Sequence, residues 1–136
     1  MSGAAAKILI IGGLGSLLFS FVMAFRLALA RQADPAADHH LLLQVHVNAL
    51  WQGFMLLGLV WAVALSDLSS GLETTAALLV VAGTTLSNAA TALAWRQNKT
   101  NLFEPPLGMT FQLARTNAIL AFTGLVILVI GALKGL

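Results

Sequence analysis

A chain of 136 residues with 59% hydrophobic and only 9% charged side chains lies far from a soluble domain, where about a quarter of residues are charged. With a mean hydropathy of +0.91 it reads as an integral membrane protein in a lipid bilayer. The formal net charge of +2, without a basic tract, argues against a nucleic-acid partner, and zero cysteines exclude disulfides, iron–sulfur clusters and thiolate ligation.

Four apolar stretches, at about residues 8–28, 41–65, 74–95 and 114–133, are long enough to cross a bilayer. The sequence therefore predicts an all-α bundle of four transmembrane helices, one domain over residues 1–136, with no internal repeat. The first stretch opens like a secretory signal, with Lys7, an apolar run and Ala28-Leu29-Ala30 as a cleavage-like site. Its uncharged run over residues 8–25 is longer than a signal core of about 7–15 residues, which favours a retained helix. Gly12, Gly13, Gly15 and Ser16 give it the small-residue spacing of a close helix contact. A polar link then leads to His39-His40, with Asp38 placed to cap the second helix.

The second stretch, LLLQVHVNALWQGFMLLGLVWAVAL, holds the polar groups that set this chain apart. At about 100° per residue, Gln44, Asn48 and Gln52 form one stripe, while His46 lies roughly 200° from Gln44. Polar groups on two faces call for an enclosed helix, walled by its own bundle on one side and open to a second subunit on the other. After a short turn, Thr84, Asn88, Thr91 and Trp95 share one face of the third stretch. The longest connection contains Pro105-Pro106, which stops any helix, and Arg115 and Asn117 open the fourth stretch.

Five basic residues (Arg26, Arg31, Arg96, Lys99, Arg115) flank loops one and three, against Lys7 and Lys134 on the opposite side. The positive-inside rule then puts loops one and three in the cytoplasm, as expected of a multi-pass protein of a bacterial inner membrane. In this arrangement His46, Asn88, Arg115 and Asn117 occupy the half of the membrane next to those loops, and the other half is almost purely apolar.

His46 is the one side chain in the spans that is both a good metal ligand and a proton carrier near neutral pH. It serves either as a haem axial ligand or as hydrogen-bonding glue between helices. His39 lies two turns away and, with His40, fits the membrane interface. A single deep histidine leaves the opposite iron position open, which suits chemistry better than electron transfer. Gln52 and Asn88 are neutral amides that can orient a polar substrate or serve as packing contacts. Asp34, Asp38, Asp67, Glu73 and Glu104 are all expected in loops, which counts against a proton-coupled transporter. Arg115 fits a haem propionate or a snorkelling boundary residue equally well. Ala89, Ala90, Ala92 and Ala94 keep the third helix slim enough to leave room for a flat ligand.

The run His46-Val47-Asn48-Ala49-Leu50-Trp51-Gln52-Gly53-Phe54-Met55, with Ser87-Asn88-Ala89-Ala90 further on, resembles the small four-helix membrane isomerases. That group comprises styrene oxide isomerase and hydroxylaminobenzene mutase. The resemblance implies a homotrimer with haem b between subunits and His46 as the iron ligand. Gln52 and Asn88 take the places of the group's two asparagines and, with Asn48, are the expected catalytic residues, while Arg115 and Trp51 are the expected haem contacts. The group's helix-three tyrosine falls on Ala92, and this chain has no tyrosine. That departure turns the resemblance toward the mutase of nitroarene degradation, which rearranges hydroxylaminobenzene to 2-aminophenol, and away from opening of an aryl epoxide. A non-enzymatic haem or quinone anchor for a soluble partner is the other class this sequence supports.

Overall fold

The computed structural model describes residues 3–136, which form four helices: α1 (Gly3–Ala33), α2 (His40–Ala64), α3 (Ser70–Arg96) and α4 (Met109–Gly135). Pro35, Pro105 and Pro106 all fall in connections, where a missing N–H and a fixed φ do no damage. All four helices are long and apolar enough to cross a membrane.

α1, α3 and α4 overrun the expected spans, while α2 matches its own to within a residue at each end. α1 has 31 residues, or roughly 46 Å at 1.5 Å per residue, against about 30 Å of hydrocarbon. Apolar sequence marks the hydrocarbon slab, whereas backbone hydrogen bonding continues through the headgroup layer until a cap or proline ends it. Arg26 and Arg31 therefore stand on the last turns of α1, and Arg115 stands in the second turn of α4. Glu73 also departs from expectation. It sits in the first turn of α3, only 3% exposed, where an acid favourably meets the positive end of the helix dipole. Asp38 lies one residue before the N-cap position, yet its carboxylate accepts the His40 N–H at 2.8 Å.

Asn98, at φ 51°, ends α3 in the left-handed conformation that asparagine tolerates. The Asn98 N–H donates to Trp95 O at 3.1 Å and the Lys99 N–H to Ala94 O at 3.0 Å, which closes the helix terminus. The turn delivers Lys99 to loop three, where its Nζ donates to Pro106 O (3.3 Å) and Thr110 Oγ1 (3.2 Å). In the same loop Glu104 accepts the Thr100 backbone N–H and, at 2.9 Å, the Thr100 hydroxyl. These bonds, the backbone N–H foremost, hold the Glu104 carboxyl below the usual range. Their contribution to loop order is thus complete above the ordinary glutamate pKa and is lost as pH falls through the lowered one. A pH series of backbone amide shifts in loop three should show Thr100 releasing only at acid pH.

The α1–α2 and α3–α4 hairpins pack side by side, with α2 and α3 central and α1 and α4 out of contact. Helices in lipid gain little from hydrophobic sorting, so small residues that let backbones approach decide the packing. A Cβ on Gly13 would stand 3.1 Å from Gly53 O, and one on Gly53 the same distance from Gly13 O. On the other hairpin, a Cβ on Gly83 would stand 2.7 Å from Ala121 N and one on Gly124 2.6 Å from Ala76 O. Phe21, Phe25, Trp51, Trp61 and Phe122 remain on the outer surface, as lipid-facing side chains do.

Candidate functional site: a polar layer across three helices

Two apolar clusters divide the interior. Leu9, Leu56, Val63, Val80 and Leu128 pack toward the chain termini, and Met23, Leu27, Leu42 and Val45 pack toward loops one and three. Between them, α1, α2 and α3 place Ser16, Ser20, His46, Asn48, Ser87 and Asn88. The polar groups thus share one depth, as expected. They are nevertheless separated from loops one and three by an apolar cap that the sequence did not reveal.

Ser20, 1% exposed, fixes the histidine. His46 Nδ1 lies 3.0 Å from Ser20 O and 2.9 Å from Ser20 Oγ, while Ser20 Oγ donates to His46 O at 3.0 Å. Both Ser20 contacts of the ring fall on Nδ1. Nε2 has no partner among the described residues. A metal-binding histidine commonly donates its other ring N–H to a partner of this kind, which sets the tautomer and ring orientation.

The opposite flank of α2 faces α3. Asn48 Nδ2 donates to Ser87 Oγ at 3.2 Å, and on α3 Asn88 Nδ2 donates to Ser16 Oγ at a long 3.5 Å. Two enclosed acceptors, Gln52 Oε1 and Asn88 Oδ1, have no partner among the described residues. Thr84 and Thr91, buried on the Asn88 face, return their hydroxyls to their own helix. Both polar flanks of α2 are thus met by helices of the same chain, and Gln44 alone of the stripe is exposed. On the His46 side that neighbour is α1, through Ser20.

Two expected cofactor contacts stand apart from the layer. Trp51 is 70% exposed on the outer face of α2, and Arg115 is exposed on α4 without a partner among the described residues. His39 donates Nε2–H to Asp34 O at 2.8 Å within loop one, which keeps it at the interface. Arg26 lies over the Trp95 ring, 5.8 Å from its centre, joining the ends of α1 and α3 by a cation–π contact. Ser16 and Ser20 are the residues that sequence reasoning missed. Their i, i+4 spacing on an otherwise apolar face was the available signal, overshadowed by the neighbouring glycines.

A groove of about 430 Å³ runs between α1 and α3, lined by Gly15, Ser16, Phe19, Thr85 and Asn88 among others. Because α4 does not reach α1, no fourth helix roofs this seam.

No protein-family model, characterised protein or solved structure matches this chain. What the fold and the layer define is a class: a four-span helical membrane protein with one enclosed polar layer and a single histidine in it.

Proposed function

We propose that this chain is a membrane isomerase of small aromatic molecules, rearranging an arylhydroxylamine to the ortho-aminophenol, with His46 holding haem b. The observation that carries the reading is the pair of Ser20 contacts on Nδ1, which orient the ring and leave Nε2 available as a ligand atom. His46 Nε2 would be the atom that holds the haem iron. Haem, when bound, would supply a Lewis acid that polarises the N–O bond.

The chain's own residues account for the rest of the reaction. Ser20 keeps the His46 ring in one orientation. Asn48 and Gln52 offer neutral donors and acceptors to the hydroxyl and amino groups of the substrate, and the spare Gln52 acceptor favours a ligand that brings donors. An arylhydroxylamine brings both N–H and O–H; an epoxide brings neither. The N–O bond breaks, a C–O bond forms at the ortho carbon, and the proton leaving that carbon replaces the hydroxyl on nitrogen. Atoms balance and no electron leaves the substrate. The apolar clusters above and below the layer restrict water at the stage when the ring carries positive charge.

The first test is an absorption spectrum of detergent-purified protein, oxidised and after dithionite, followed by turnover of hydroxylaminobenzene and styrene oxide. A Soret band and aminophenol formation are expected. A flat spectrum from cells supplied with haem, or a haem protein inert to both substrates, would sink the proposal; the latter points to an anchor.

The exposed Trp51 and Arg115 fit a second copy of the chain in a homotrimer, where the outer face of α2 would be covered. Mass measurement in nanodiscs should give three chains; a monomer leaves those two residues outside the site. We place loops one and three in the cytoplasm of a bacterial inner membrane. With no native cysteine, single Asn98→Cys and Ser69→Cys variants report the two sides directly. An impermeant maleimide added to intact cells should label the Ser69→Cys variant and spare Asn98→Cys; the reverse pattern inverts the topology.

A further inference from the structure

We infer that the groove between α1 and α3 is a second ligand site, distinct from His46, which takes from the bilayer an apolar molecule bearing one hydroxyl. This inference stands whether or not His46 carries haem. The groove exists because Gly15 leaves it open: a Cβ there would meet nothing within 4 Å. At about 430 Å³ it matches the small-ligand pockets of other proteins, roughly 300–1,000 Å³. Its walls are otherwise small or apolar, with Phe19 offering a ring for stacking.

The polar part of the groove is incomplete. Ser16 and Asn88, each 8% exposed, share only the 3.5 Å bond between them. The amide of Asn88 has two donor hydrogens and an acceptor oxygen. Whichever way it is turned toward Ser16, one half has no partner, and burial makes such a vacancy costly. Thr85 does not fill it, because its hydroxyl donates to Val81 O at 2.8 Å. A ligand hydroxyl both donates and accepts, so it completes either orientation; an ether of the same shape does not. His46 is not among the lining residues, and Ser20 holds its ring at the α1–α2 seam.

The test uses the full chain in nanodiscs with 4-fluorophenol and 4-fluoroanisole as ¹⁹F NMR probes. The phenol should bind saturably and at least about tenfold more tightly than the anisole, since only the phenol supplies the missing donor. Gly15→Leu, whose Cβ meets nothing within 4 Å and whose longer side chain is placed to fill the groove, should abolish saturable binding while leaving thermal stability unchanged. Asn88→Leu should erase the preference between the two probes. Equal affinities in the wild-type protein, saturable phenol binding that survives Gly15→Leu, or no saturable binding at all would overturn the inference. The last result would assign the groove to lipid chains.

Discussion

Gly124→Val is expected to lose about 3 kcal/mol of stability, enough to show as a large fall in the temperature at which the detergent-purified protein unfolds. A Cβ on Gly124 would stand 2.6 Å from Ala76 O, 2.6 Å from Val80 Cγ2 and 2.9 Å from Val80 N. Two of those three atoms are backbone, so no rotamer change relieves the clash, and α3 and α4 must separate. The separation would also move Asn88, three turns along α3. The contrast is Gly58→Ala, where nothing lies within 4 Å. There the lower backbone entropy of the unfolded chain should leave stability unchanged or raised by about 0.5 kcal/mol. If the two substitutions behaved alike, close backbone approach would not be what holds the second hairpin together.

His46→Ala should do the opposite, leaving the fold and removing the proposed isomerase activity. The Ser20 hydroxyl donates to the backbone carbonyl of residue 46, a bond that survives truncation, so the lost Nδ1 contact should cost only about 1 kcal/mol. Turnover, by contrast, should fall about 10²–10⁴-fold, the scale of removing a group that acts directly on reacting atoms, and the Soret band should disappear. Ser20→Ala should give an intermediate loss of about 10–100-fold with the spectrum shifted but present, as for a residue that acts by positioning a ligand. An alanine variant that retains full turnover would remove His46 from the site. One that unfolds as readily as Gly124→Val would make it structural glue.

The four spans were legible because hydrocarbon thickness imposes a length and a polarity that few other constraints produce. The polar face of α3 was legible for a related reason: Thr84, Asn88 and Thr91 recur at helical spacing, and all three are buried. Around α2 the sequence yields the angles between side chains but not the neighbour at each angle. His46 and Asn48 were therefore separable on the helix, while α1 and α3 were not assignable as their partners. Ser16 and Ser20 were obscured because a serine in a span serves packing as readily as hydrogen bonding. The ends of the helices were misjudged where the headgroup layer, indifferent to hydropathy, lets a helix continue, as at Ala33, Ser70 and Met109. Trp51 and Arg115 entered as expected haem contacts, and one copy of the chain gives them no role in the layer.

On the proposed isomerase reading, the two apolar clusters that bracket the polar layer also govern supply. With Met23, Leu27, Leu42 and Val45 on one side and Leu9, Leu56 and Val80 on the other, the bundle axis offers no aqueous corridor, and a molecule reaches the layer sideways, between helices. The concentration that matters is then the one dissolved in the membrane. Two substrates of equal intrinsic affinity would differ in apparent KM by the ratio of their lipid–water partition coefficients. A given substrate would become harder to saturate as vesicle volume is increased at fixed total amount.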